Sequence, residues 1–265
     1  AEALAALGIQ PLIAPWYGSI EEVLRRHAGR LDLIYLHRTG NAAAYTKLAR
    51  QYCPRAHLVY GVADLHHLRI ARQGVVEDRP ELRGRARRLR MEELIAARLA
   101  DVVITHSTVE AALLRAQVPG ADIAVVPWVV PARPAATAFS VRDGIAFIGS
   151  FGHEPNVDAV HFLADEILPL VRHEDPSIRF QIIGSQITPA IRRLERPGLE
   201  IVGFVEALDA LFERTRLTVA PLRYGAGLKG KVIESLGAGV PCIGTSIAYE
   251  GISLPPALSA CVADT

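Results

Sequence analysis

The chain has 265 residues, of which 50% are hydrophobic, 22% charged and 6% aromatic, with a formal net charge of +1. That much apolar material buries a real core and excludes a disordered or fibrous chain, and the balanced charge excludes a general nucleic-acid binder. The most apolar stretch, 123–139, is broken by Pro127, Pro131, Arg133 and Pro134, so no membrane span is expected. The first ten residues, AEALAALGIQ, lack the basic start of a signal peptide. Three scattered cysteines, Cys53, Cys242 and Cys261, fit a reducing compartment better than a disulfide framework or a zinc site, and a cytoplasmic location is expected.

In the first half, apolar runs at 11–15, 31–36, 57–61, 101–107 and 122–127 read as strands. Helical patterns lie between them at 20–27, 42–51, 82–99 and 108–116. Next comes VPWVVPARPAATAFS, rich in Pro and Ala, which reads as an interdomain linker. In the second half the strands are 144–150, 178–185, 199–204, 217–222 and 241–245, and the helices 156–171, 188–195, 207–214 and 228–238. Continuous apolar runs, instead of strict alternation, indicate strands covered on both faces, as in parallel sheets of βαβ units. Charge supports the division. Residues 1–135 carry 18 Lys and Arg against 13 Asp and Glu, whereas 136–265 carry 11 against 15. The expectation is an α/β protein of two doubly wound domains, 1–135 and 136–265, with ligands beyond the carboxyl ends of the strands in the cleft between them.

Two strand-to-helix loops carry the chemistry. The first is Gly149-Ser150-Phe151-Gly152-His153-Glu154-Pro155-Asn156. Its glycines allow close backbone approach, and the helix that follows offers free N–H groups to an anion. The alternative is an ordinary turn capped by Asn156. The G-x-G-x-x-G dinucleotide spacing is absent. The second is the segment RYGAGLKGKVIESLGAGVPCIGT after the strand at 217–222. Arginine outnumbers lysine 26 to three, and two of the three lysines, Lys229 and Lys231, fall here, at the start of a helix expected to begin near Leu228. A helix N-terminus is already positive, so lysines there are unfavourable unless an anion is near. A diphosphate would satisfy them, with Glu234 on a ribose diol; the alternative is a solvated Lys–Glu face.

The segment RYGAGLKGKVIESLGAGVPCIGTSIAYEGI resembles the nucleotide-sugar motif of family 4 glycosyltransferases, in the branch with a G-x-G-x-K-x-K-x-x-E core. GIAFIGSFGHEPNVDAVHFLADEILPLVR, IRFQIIGS and LEIVGFVEALDALF resemble other units of the same domain in the right order, so the likeness covers nearly all of 142–252. ADVVITHSTVEAALL and IAVVPWVVP are similar to the end of that family's first domain. The resemblance implies a GT-B fold of two Rossmann-like domains, with the donor on the second and the acceptor on the first. It implies retaining transfer from a nucleotide-diphosphate sugar to a glycan or lipid-linked acceptor, with no cofactor and no essential metal. Lys229 would contact the diphosphate, Glu234 the ribose, and Lys231 would support that site or lie beside it. Gly149, Ser150, Phe151 and Gly152 would pass near the phosphates and sugar, and Gly227 and Leu228 would belong to the same turn. Phe204 and Val205 stand where the family's backbone holds the base.

There are departures. Many relatives carry a second Glu where this chain has Ala226, and Arg and Lys where it reads SFGHEPN. Arg223, or an arginine of the first half, is expected to supply the missing charge. Asp64, His66 and His67 follow the strand at 57–61 and suit hydroxyl binding or proton handling; local capping is the alternative. Arg38, Thr39, His106 and Ser107 are weaker candidates of that kind, with Ser107 also read as a helix cap. The run from Arg79 to Arg90 holds six arginines and one glutamate without aromatics. It reads as a solvated helix face, or as a contact for anionic lipid or an inner membrane surface through Arg83 to Arg90. A nucleotide-sugar epimerase and a non-catalytic nucleotide-sugar-binding module remain the alternative functions. The chain is expected to be a fragment of a longer protein at both ends.

Overall fold

The computed structural model describes residues 2–264. Two compact units emerge, one formed by Ala1–His67 with Arg85–Val126, the other by Leu68–Gly84 with Pro127–Thr265. The elements of the first half are α1 (Glu2–Ala5), α2 (Ile20–Arg26), β1 (Leu33–His37), α3 (Thr39–Tyr52), β2 (His57–Val62), α4 (His66–Val76), α5 (Leu82–Leu99), β3 (Val102–Thr105), α6 (Thr108–Gln117) and β4 (Ile123–Val125). Those of the second half are β5 (Asp143–Ile148), α7 (Glu154–Phe162), α8 (Leu168–Glu174), β6 (Phe180–Ile183), α9 (Pro189–Arg192), β7 (Leu199–Gly203), α10 (Asp209–Phe212), β8 (Thr215–Ala220), α11 (Gly230–Gly237) and β9 (Cys242–Gly244).

The first unit holds a four-stranded parallel sheet in the order β1-β2-β3-β4. Five of the six residues of the inner strand β2 are buried, as its unbroken apolar run requires. The second unit holds a separate five-stranded parallel sheet in the order β7-β6-β5-β8-β9. Its strands run outward from β5 in both directions, which makes it doubly wound, with the switch point between β5 and β8. Phe147, Phe180, Ile182, Leu163, Val160 and Val232, all 1% exposed or less, fill its core. The expected α/β class with two separate parallel sheets is therefore present.

Several expectations need correction. Residues 11–15 form no strand. Pro11 and Pro15 bracket the run and withhold the donors a sheet edge needs. The single helix expected over 156–171 is interrupted by a π turn at Leu163–Ile167, where Pro169 cannot donate back to the Asp165 carbonyl. The 64–69 segment is the start of α4, which continues to Val76. The Pro-rich stretch beyond Pro127 separates the two sheets, and it also runs along α11. Trp128 lies against Gly230 and Val130 against Gly237. The backbone amides of Arg133 and Ala135 donate to the Gly237 and Ala238 carbonyls at 2.8 and 2.9 Å, and Glu213 accepts from Ala136 and Thr137. It is a strap on the second unit.

The end of β6 touches the loop after β5. A Cβ added at Gly184 would overlap the carbonyl oxygen of Gly149, a backbone atom with no freedom to move aside. Gly184→Ala is therefore expected to lower the unfolding free energy of the second unit by about 3 kcal/mol, the upper range for overpacking. Urea denaturation followed by a probe in that unit measures it, and a loss near zero would show that the loop is not anchored there.

Candidate functional site

The switch point brings together the loops after β5 and β8. The first is fixed by backbone bonds. Gly149 N–H donates to the Ile183 carbonyl at 2.9 Å and Phe151 N–H to Ser185 at 3.0 Å. The Phe151 ring is buried beside Phe147, with ring centroids 6.2 Å apart, so Phe151 anchors the loop by its side chain. Ser150 and Gly152 remain at least partly open to solvent. The helix cap is His153, not Asn156. Asn156 lies inside the first turn of α7, where its side-chain amide donates to the Ser150 carbonyl at 2.8 Å.

In the second loop Gly227 adopts φ +68°, a conformation that favours glycine, and turns the chain into α11. The helix begins two residues later than expected, with Lys229 as its N-cap residue. Lys229 is 9% exposed and its ammonium donates to the Gly227 carbonyl at 2.6 Å. Lys231 follows in the first turn and donates to Asn156 Oδ1 at 2.6 Å. Leu228 is half-buried. Glu234, one turn further along α11, opens into a cavity of ≈ 440 Å³ that Glu206, Leu208, Asp209 and Val130 also line. The loop after β7 thus shares a cavity with Glu234. In that loop Phe204 is 69% exposed, while Val205 packs on Ala146, Ile183 and Leu211.

Ala226 is buried and offers no charge. Arg223 turns toward α7, where it ion-pairs with Asp158 and lies 5.3 Å from the centre of the Phe162 ring. Its charge is neutralised there. The sequence reading missed Arg72 on α4. Its guanidinium donates to the Gly225 carbonyl at 2.7 Å and to Glu250 at 2.8 and 2.6 Å. Nearby Tyr224, fully buried, donates to Glu77 at 2.8 Å. Only the general expectation of an arginine from the first half pointed to Arg72. Burial works to raise the Glu250 pKa, but Arg72, by hydrogen bond and charge, and Lys229, by charge, hold it below its ordinary value.

In the first unit, Glu93 of α5 is 0% exposed and gathers donors. Thr39 Oγ1 donates to it at 2.8 Å and the His66 amide at 2.7 Å, and the His67 ring makes a short hydrogen bond with it. His66 Nε2 stands 3.2 Å from Asp64. His67 is thereby oriented by a buried carboxylate that no local pattern singles out, since Glu93 lies inside an arginine-rich helix. Arg38 is the residue before α3, with φ +70°. The His106 ring bonds the Val126 carbonyl at 2.8 Å, and Ser107 caps α6. Arg83, Arg85, Arg87, Arg88 and Arg90 are exposed on α5. Among the described residues no helix is long and apolar enough to cross a membrane, and no three His, Cys, Asp or Glu gather as a metal site.

Two outcomes follow. Glu93→Leu removes the acceptor shared by the His66 amide, the His67 ring and the Thr39 hydroxyl, leaving Thr39 only the Tyr60 hydroxyl, at about 1–3 kcal/mol for a buried group left unsatisfied. Chemical denaturation of the first unit should record a loss in that range or above, and no loss would mean that Glu93 does not organise His67. The folded-state pKa of Glu250 lies below its unfolded value, so its stabilising contribution is present above the usual carboxylate range and is lost as pH falls through it. Glu250→Gln should flatten the fall in unfolding free energy between about pH 5 and 3. An unchanged slope would contradict the pairing.

Residues 142–255 match the family model described as glycosyl transferases group 1. Among curated proteins none matches the sequence well enough to count as a relative. Solved structures share the fold. TarM is 15% identical with a TM-score of 0.68, covering 88% of this chain and 46% of its own. Sucrose-phosphate synthase from Thermosynechococcus elongatus is 18% identical with a TM-score of 0.69, covering 91% and 66%. HepE from Anabaena, solved in complex with UDP-glucose, is 16% identical with a TM-score of 0.60, covering 92% and 69%. The chain thus spans about half to two-thirds of the length of these proteins. The family match and the shared fold point the same way: residues 142–255 are similar to the group 1 glycosyl transferases, and the chain shares the GT-B-like fold of these solved structures.

Proposed function

We propose that the second unit binds the nucleoside-diphosphate part of an activated sugar at the β5–β8 switch point. The protein would then transfer the sugar, with retention, to a glycan or lipid-linked acceptor. The observation that carries it is the buried Lys229 at the start of α11, with Glu234 one turn on in a cavity shared with the loop after β7. Backbone N–H groups of α11 and the Lys229 ammonium would neutralise the departing diphosphate. The Glu234 carboxylate would accept from the ribose hydroxyls, and the base would lie along Phe204 and Val205. On this reading no metal is required, because basic groups and the helix terminus stabilise the leaving charge. In the first unit, His67 held by Glu93, with His66 and Asp64, would meet acceptor or sugar hydroxyls, and the exposed arginines of α5 would favour an anionic lipid-linked acceptor or the surface that carries it. That HepE is solved with UDP-glucose supports a uridine donor as the first to try.

One observation favours a second reading, a nucleotide-sugar-binding module without turnover. Ala226 is buried where many relatives carry a carboxylate, and Arg223 is bound to Asp158. Release of nucleoside diphosphate from UDP-, GDP- or dTDP-sugars by the chain separates the two.

Lys229→Ala is expected to weaken UDP binding by about 1.5–3 kcal/mol, the scale of a charge-assisted hydrogen bond, while uridine binding changes little. Glu234→Gln should weaken both, because both carry the ribose. Calorimetric titration measures all four. Equal losses of uridine and UDP in Lys229→Ala would mean that the lysine is structural and that the phosphate lies elsewhere.

A further inference from the structure

Lys231 is not accounted for by contact with the donor. Its ammonium turns inward, 4.3 Å from the centre of the Phe147 ring, and donates to Asn156 Oδ1 at 2.6 Å. Asn156 passes the bond on, its amide donating to the Ser150 carbonyl at 2.8 Å. A Cβ on Gly149 would lie 2.9 Å from the Asn156 amide and 3.1 Å from the Lys231 ammonium. The 149–152 loop therefore rests directly on this pair, and a side chain at 149 would have to displace it.

The groups that face Lys231 supply no negative charge. Lys229, just ahead of it, repels. Cys242 on β9 has its thiol pushed up to about 11 by burial and stays neutral. Asn156 on α7 and Phe147 on β5 are uncharged. Among the described residues no carboxylate forms an ion pair with Lys231. Burial, and after it the charge of Lys229, lower the lysine pKa to about 7. A partly buried ammonium that loses hydration without gaining an acid partner is unfavourable, and an anion on the loop above would supply the missing charge.

We propose that Lys231 is a positioning residue: acting through Asn156, it holds the Ser150 carbonyl and the 149–152 backbone ready for a phosphate, and the bound anion in turn retains its proton. The identity of that anion rests on the nucleotide reading above; the hold on the loop does not. Binding a diphosphate near and above neutral pH then takes up a proton.

Two measurements test it, and the first needs no ligand. Amide hydrogen exchange of Ser150, Phe151, Gly152 and His153 in the free protein, corrected for intrinsic rates, reports loop opening. Wild-type protection should fall about tenfold between pH 6.5 and 8.5, while Lys231→Met should be low and flat with pH, and Asn156→Ala low as well. The second is titration with inorganic pyrophosphate at pH 7.5 in buffers of different ionisation enthalpy. The wild type should take up a proton, and Lys231→Met should bind about tenfold more weakly with no uptake. Loop protection that ignores both pH and the two variants overturns the positioning role. Pyrophosphate binding without proton uptake overturns the link to the anion. Proton uptake with pyrophosphate, combined with no binding of UDP, GDP or dTDP, would uphold Lys231 and defeat the nucleotide reading.

Discussion

Positive charge gathered at the start of α11 is the constraint around which the second unit is arranged. The helix N-terminus presents unpaired N–H groups, Lys229 caps it, and Lys231 lies partly buried in its first turn. Nearby arginines do not add to this, because Arg72 is spent on Glu250 and Arg223 on Asp158. The surrounding choices follow from that charge. Gly227 makes the turn that delivers Lys229, Gly149 leaves room for the Lys231–Asn156 pair, and Phe147 offers its ring face to the ammonium. A protein that needed only a stable βα turn would have an acid at this end.

The rest of the unit holds α11 in place. On one side the strap beyond Pro127 supplies backbone donors to the carbonyls of Gly237 and Ala238, where the helix runs out of internal partners. Beneath it, the buried hydroxyls of Thr218 on β8 and Ser235 on α11 bond at 2.7 Å. On the loop side, Leu68–Gly84 brings Arg72 and Glu77 to Gly225, Glu250 and Tyr224. The helix α11 and the turn before it are thereby tied to three separate stretches of chain. Such a site meets its ligand with little left to order, which is where binding free energy is otherwise lost.

Much of this was legible in the sequence, for physical reasons. The second-half strands appear as unbroken apolar runs because both faces of a parallel sheet are covered, and all five formed near the expected positions. The lysines stood out because they contradict the helix dipole. What stayed hidden depends on long-range pairing. Arg72 and Glu250 are 178 positions apart, and no local pattern joins them. The run at 11–15 has the composition of a strand, but its two prolines withhold the donors that pairing needs. Phe151 read as a ligand neighbour, but its ring is committed to the core. Asn156 read as a cap, although its side chain in fact links Lys231 to the loop.

The account stands or falls on whether a nucleoside diphosphate seats at the β5–β8 switch point. Backbone NMR shift mapping of the chain with UDP, and with GDP and dTDP as alternatives, addresses this directly. The account predicts that the largest shifts cluster in three places: the 149–152 loop, residues 204–208, and the stretch from Gly225 to Glu234. Saturable shifts confined to other surfaces, with those three segments unmoved, would contradict it.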